Sequence, residues 1–222
     1  MGNLYLVRHG QASLGSDNYD QLSDLGQRQS VRLGEHFAQQ GLAFEAVLTG
    51  TLQRHSQTWA GIARGAGLTH TPQKHGSLDE YNSAAVIATV RPGPVQRPST
   101  PEEVKQHFRH LRDGLVQWSK GTVQPAGMPL YADWVRGVAD VLDHVRHNHS
   151  GNVLLVSSGG PIATAVGQVL DTSAETSIEL NMRIRNSAVT EFAFTPKRHV
   201  LLAFNSIAHL ESPPYAGWVS YA

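Results

Sequence analysis

Cysteine is absent from the 222 residues. Disulfide staples, thiolate metal sites and a thiol nucleophile are therefore excluded, and packing alone must hold the fold. Net charge is lacking too, because 18 Lys and Arg balance 18 Asp and Glu. With no overall field to hold nucleic acid or an anionic membrane, any anion site has to be assembled locally from particular arginines. No apolar run approaches the roughly 18 residues of a membrane span. Residues 1–8 enter a strand-like pattern with no charged and then apolar leader, so a cytoplasmic location is expected. Internal repeats, heptads and low-complexity tracts are also missing. What remains, at 40% hydrophobic and 16% charged residues, suits one globular domain spanning 1–222.

Strand and helix patterns alternate along the chain. Asn3–Val7 is a short apolar run ending at Arg8-His9-Gly10, where glycine permits an abrupt turn. From Ser23 to about Gln40 a helix is predicted on Val31, Leu33, Phe37 and Ala38, stopped by Gly41. A strand at Ala46–Leu48 follows, then a helix from Thr51 carrying Leu52, Thr58, Trp59 and Ile62. Tyr81–Thr100 holds Pro92, Pro94 and Pro98, which predict an irregular excursion, and the stretch of about 81–130 is a candidate cap or lid. Helices over Pro101–Trp118 and Leu130–His147, a buried strand at Asn152–Ser157 and a helix opened by Gly159-Gly160-Pro161 come next. Strands at Ala188–Phe194 and Val200–Asn205 complete the pattern. The expected fold is α/β, a three-layer αβα sandwich whose mostly parallel sheet is covered on both faces. Such sheets bind ligands beyond the carboxyl ends of their strands. Phe37, Phe108, Trp118 and Trp134 lie on helical patterns and are assigned to the core.

Arg8-His9-Gly10 pairs an imidazole that can attack phosphorus with a guanidinium whose planar fork of donors can clamp phosphate oxygens. Alone, this pair is equally a surface His beside an Arg. The longer stretch Leu6-Val7-Arg8-His9-Gly10-Gln11-Ala12 resembles the signature of the histidine phosphatase superfamily, the phosphoglycerate-mutase-like proteins. Leu22–Gln29 is similar to the family's Leu-(Ser/Thr)-x-x-Gly-x-x-Gln segment, and Thr49–Thr58 to the segment that carries its second phosphate-clamping arginine, here Arg54. Leu78-Asp79-Glu80 resembles its Leu-x-Glu, and Asn186–Val189 and Asn205–Leu210 resemble later segments.

The resemblance implies that His9 is the nucleophile, that Arg8 and Arg54 bind the phosphoryl oxygens and that Glu80 protonates the leaving oxygen. Gln11, Ser23, Ser158 and Gly159 fall where substrate contacts are expected. It implies no cofactor, no metal, a small phosphorylated substrate and neither nucleic acid nor membrane as partner; oligomeric state stays open. Phosphoryl transfer spreads negative charge over equatorial oxygens, which is the physical reason for two arginines. Burial near an anion would keep Glu80 protonated and available as an acid.

One departure stands out. Where the family carries a second histidine after the third strand, this chain reads Val156-Ser157-Ser158-Gly159-Gly160, so Ser158 replaces it. Losing a charge-assisted donor of roughly 1.5–3 kcal/mol would slow chemistry by about 10- to 100-fold. His55 or His209 could restore a charge, although an ordinary exposed histidine is the simpler reading of each. His144, His147 and His149 are most simply a solvated helix end. The expected activity is a metal-independent phosphomonoesterase. The alternatives are phosphoglycerate-mutase-type transfer and a phosphate-binding or regulatory protein impaired by Ser158.

Overall fold

The computed structural model describes residues 1–13, 20–91, 93 and 100–221. Pro92, Pro94 and Pro98, on which the irregular excursion rested, lie outside the described residues. One six-stranded sheet runs in the order β3-β2-β4-β1-β5-β6. Its strands are β1 (Gly2–Arg8), β2 (Ala46–Thr49), β3 (Gln73–Lys74), β4 (Asn152–Ser157), β5 (Val189–Thr195) and β6 (Arg198–Ser206). β3, β2, β4 and β1 are parallel, while β5 is antiparallel to both β1 and β6. Register places Arg8 opposite Ser157 and Thr49 opposite Val156, so the carboxyl ends of three adjacent strands finish nearly level.

Both sheet faces are apolar because successive side chains point to opposite sides and every position of the central strands must be covered. Leu4, Leu6, Leu48, Val153 and Leu155 share one core with α5 (Tyr131–Asn148) and α6 (Gly159–Leu170). α5 contributes Val138, Val141, Leu142 and Val145, a single stripe at helical spacing. α6 is buried continuously from Gly159 to Gly167. On the other face Tyr5, Val7, Val47, Leu154 and Val156 pack against α1 (Asp24–Gln39) and α2 (Gln53–Ala66) through Leu33, Phe37, Trp59 and Ile62. The result is the three-layer α/β sandwich with helices on both faces.

Within Tyr81–Thr100, expected to be irregular, the chain forms α3 (Ser83–Ala88), capped by the Asn82 side chain accepting from the Ala85 N–H. Val86 and Ile87 of α3 join Tyr81 in a third core with Leu111, Leu115 and Trp118 of α4 (Pro101–Ser119) and Ile178 of α7 (Ala174–Asn181). α4 starts at a capping box in which Thr100 and Glu103 satisfy each other's backbone N–H. Phe108, assigned to the core, is instead 39% exposed, because α4 buries only Leu111, Gly114, Leu115 and Trp118. Ala38 is likewise exposed on α1. Among the described residues no helix is long and apolar enough to cross a membrane.

The turn after β1 is fixed by an unusually close backbone approach. A Cβ on Gly26 would fall inside the van der Waals radius of the Gln11 backbone, and one on Gly10 inside that of Gly26. Alanine in a helix ordinarily stabilises by about 0.5–1 kcal/mol over glycine. Gly26→Ala should reverse that sign and lower the urea-unfolding free energy by about 1–3 kcal/mol through overpacking. Gly76→Ala, which meets nothing within 4 Å, should change it by no more than about 0.5 kcal/mol. Equal effects of the two substitutions would contradict the close-approach account.

Candidate active site

The chemistry-bearing side chains converge where the parallel strands end. His9 follows β1, Ser158 follows β4, Arg54 and His55 open α2 just beyond β2, and Glu80 follows the short turn after β3. Adjacent strand ends therefore gather residues that are far apart in sequence.

His9 is 4% exposed, and its backbone N–H donates to the Ser157 carbonyl at 2.9 Å. Its Nδ1 lies 2.7 Å from the Gly10 carbonyl. A carbonyl can only accept, so Nδ1 carries the proton and Nε2 keeps a lone pair. Burial, and then the charges of Arg8, Arg54 and His55, hold the imidazole well below its ordinary pKa of 6.5. His9 is thus neutral, with a lone pair on Nε2.

Arg54 is nearly buried and is held by Asp20, whose Oδ1 accepts from Nη1 at 2.8 Å. Arg8 donates through Nη1 to the carbonyls of Ile184 and Tyr221. Both cations reach His9 and Glu80 electrostatically. The two carboxylate oxygens of Glu80 accept from the Gly160 N–H at 3.1 and 3.2 Å. Burial raises the Glu80 pKa above the ordinary carboxylate value against the opposing pull of that N–H, Arg54 and Arg8. Part of the Glu80 side chain stays accessible, but its carboxyl group is desolvated, which biases it toward the protonated acid.

Gln11 and Ser23 are built into the scaffold of the loop. The Ser23 hydroxyl donates to Gln11 Oε1 at 2.8 Å and caps α1 by accepting from the Gly26 N–H at 3.1 Å. Gln29 accepts from the Gln11 N–H at 2.8 Å and donates to the Trp218 carbonyl at 2.6 Å, tying the loop to the C-terminal segment. Thr58 accepts from the Gly10 N–H at 3.1 Å. A Cβ on Gly159 would meet the side-chain amide oxygen of Asn181.

Ser158 and His55 are both fully buried, and His55 Nε2 lies 2.7 Å from Ser158 Oγ. Asp79 Oδ1 is 3.5 Å from His55 Nδ1, long for a hydrogen bond but close for a charge interaction. His55 and His9 are neighbours, with ring centroids 5.9 Å apart. Reading His55 and His209 as exposed residues was therefore wrong: topology, invisible in local sequence, puts both inside. His209 is 1% exposed, but it bonds Ser187 Oγ at 2.8 Å and lies beside His36. Asp20 and Asp79 were missed because a carboxylate that positions an arginine or histidine has no local signature. At the far end of α5, His149 lies 3.0 Å from Glu45. Among the described residues no group of three or more His, Asp or Glu converges to hold a metal. A surface cavity of about 530 Å³ between α1 and the C-terminal segment, lined by Arg28, Arg32, Tyr215 and Trp218, includes none of these site residues.

This architecture is phosphoglycerate-mutase-like. The model of the histidine phosphatase superfamily (branch 1) matches residues 4–207, and the chain belongs to that superfamily. Similar solved structures include a phosphoserine phosphatase from Entamoeba histolytica, 22% identical with a TM-score of 0.67 over 95% of this chain and 100% of that one. A mycobacterial glucosyl-3-phosphoglycerate phosphatase is 18% identical, TM-score 0.67, over 94% and 100% of the two chains. A phosphoglycerate mutase from Bacillus anthracis is 15% identical, TM-score 0.67, over 94% of each. No curated protein sequence matches the chain.

The buried histidines make stability pH-dependent. Burial pushes His209 down to about 3 from 6.5. Between those values the unfolded chain binds a proton that the folded chain does not, so stability rises with pH across this window and is lost as pH falls. Taking wild type from pH 7 to pH 5 should cost about 2 kcal/mol from His209 alone. Urea unfolding of His209→Gln at the two pH values should show a loss smaller by that amount, and an unchanged loss would contradict the assignment.

Proposed function

We propose that the protein is a metal-independent phosphomonoesterase that works through a phosphohistidine on His9, acting on a small phosphorylated substrate. The observation that carries this reading is the 2.7 Å contact of His9 Nδ1 with the Gly10 carbonyl, which leaves Nε2 unprotonated beside two arginines. Nε2 attacks phosphorus as the ester P–O bond breaks, and the leaving oxygen takes the Glu80 proton. Glu80, now a carboxylate, accepts a proton from water as that water attacks the phosphohistidine. Inorganic phosphate leaves and His9 is regenerated. Arg8 and Arg54 stabilise the charge on the equatorial oxygens in both steps.

The stretch of 81–130, whose α3 and α4 share a core with Ile178 of α7, serves in this reading as the cap that selects the alcohol portion of the substrate. The names of two similar structures, a phosphoserine phosphatase and a glucosyl-3-phosphoglycerate phosphatase, favour hydrolysis of phosphate esters of small polar metabolites. Transfer of the phosphoryl group to a phosphorylated acceptor in preference to water would mark the mutase alternative instead.

His9→Ala should abolish phosphate release from p-nitrophenyl phosphate while leaving the unfolding transition in place; wild-type turnover in that variant would remove the claim. Glu80→Gln separates acid catalysis from a structural role. For alkyl phosphates, whose leaving group needs a proton, kcat should fall by about 10²–10⁴-fold, and much less for p-nitrophenyl phosphate. Equal losses on both substrates would contradict the role of Glu80. Exhaustive chelation should leave turnover unchanged, since arginine donors replace a cation; loss restored by added metal would refute the metal-independent mechanism.

A further inference from the structure

Ser158 stands at the N-cap of α6, where a serine hydroxyl ordinarily accepts a backbone N–H from the first helical turn, yet it makes no such cap. Its Oγ is aimed at His55 Nε2, 2.7 Å away, with Asp79 3.5 Å behind the other ring nitrogen. Asp79 is itself fixed, accepting at Oδ1 from the Thr51 N–H at 2.6 Å and at Oδ2 from the Thr51 hydroxyl. A hydroxyl, an imidazole and a carboxylate thus form a chain whose middle ring lies 5.9 Å, centroid to centroid, from His9. Sequence separation hides it: the bonded atoms of Ser158 and His55 belong to residues 103 positions apart.

Resting on the phosphatase reading, we propose that His55 takes up a proton when a phosphate group occupies the site, and that Ser158 passes the resulting positive charge to the phosphate as a reoriented O–H donor. The argument is proton counting. Neutral His55 with its proton on Nδ1, toward Asp79, can only accept at Nε2, so Ser158 points its hydrogen at the ring and offers phosphate nothing but lone pairs. Protonated His55 donates from Nε2 to Ser158 Oγ, which frees the hydroxyl hydrogen for a phosphate oxygen. Toward His55 the serine therefore changes from donor to acceptor, and toward the phosphate from acceptor to donor, according to the charge on a histidine it never leaves.

Several groups face the imidazole of His55. Arg54, beside it on α2, opposes its protonation, and the neutral His9 ring after β1 faces it without charge; Asp79, before Glu80, and Asp20, before α1, favour protonation. Burial is the largest influence and holds it below its ordinary value in the free protein. An arriving phosphate adds negative charge close to a desolvated ring, where Coulomb interaction is poorly screened. Proton and phosphate binding must then strengthen each other by the same factor. Ser158 acts here as a ligand of the phosphate and His55 as a positioning residue behind it.

The test is a long-range ¹H–¹⁵N correlation spectrum of histidine-labelled protein at pH 7.5, free and titrated to saturation with inorganic phosphate, with His55 assigned by its loss in His55→Gln. The expected result is a neutral, Nδ1-protonated His55 in the free protein and an imidazolium when phosphate is bound. In Ser158→Ala phosphate should still bind while His55 stays neutral, because a buried imidazolium would lose Ser158 Oγ as the acceptor of its Nε2–H, and Ser158→Thr, which keeps a hydroxyl, should restore the switch. Ser158→Ala, His55→Gln and the double variant should each lower kcat by a similar factor of about 10- to 100-fold, without multiplication. A His55 that stays neutral at saturating phosphate, a switch that survives in Ser158→Ala, or no phosphate binding at all would overturn the proposal. A phosphate-dependent His55 proton in a protein whose His9 forms no phosphohistidine would sustain it and instead sink the phosphatase mechanism.

Discussion

A single proton, donated from His9 Nδ1 to the Gly10 carbonyl at 2.7 Å, decides which ring nitrogen can act. Were it on Nε2, the Nδ1 lone pair would face the carbonyl and repel it, and Nε2 would have no lone pair for the proposed attack. The carbonyl stays in place because its own residue is pinned: the Gly10 N–H is held by Thr58, and the loop is pressed against Gly26. Glycine at both positions lets two backbones approach to a distance that no side chain tolerates. Helices α1 and α2 thus fix the tautomer of a residue on neither of them.

Burial and positive charge act together on His9 and against each other on Glu80. At His9 desolvation and the two arginines both disfavour the imidazolium, so the neutral ring is secured twice. At Glu80 the arginines favour the carboxylate, and burial prevails over them. Had the carboxyl group been placed in water beside the same arginines, its proton would already be lost and the acid proposed for the leaving oxygen would be absent. The sandwich core under the strand ends is what removes that water, so the pKa of Glu80 is a consequence of packing as much as of charge.

The central strands were legible because β1 and β4 are buried on both faces and read as continuous apolar runs. The helices flanking them were legible for the complementary reason, a stripe at helical spacing. β3 was not: its two residues, Gln73 and Lys74, are exposed at a sheet edge and carry no apolar pattern. α3 was masked by the prolines that follow it, although Val86 and Ile87 are among the most buried side chains. Phe108 was misassigned because helical spacing alone does not say which of two faces meets a partner. At the site, His9, Arg8, Arg54 and Glu80 were picked out by motif, and strand order brings their elements together at the carboxyl ends of the parallel strands. The pairing of His55 with Ser158 and Asp79 is set by strand order, a property of the whole chain that no local window contains.

Chemical trapping of the covalent intermediate tests the central claim most directly. Rapid acid-free quenching during turnover of a ³²P-labelled aryl phosphate, followed by proteolysis, should place the label on the peptide containing His9. The modified residue should carry the phosphoryl group on Nε2 and be stable to alkali but labile to acid. Phosphate release with no label on His9, or with the label as an acid-stable ester on Ser158, would contradict the account.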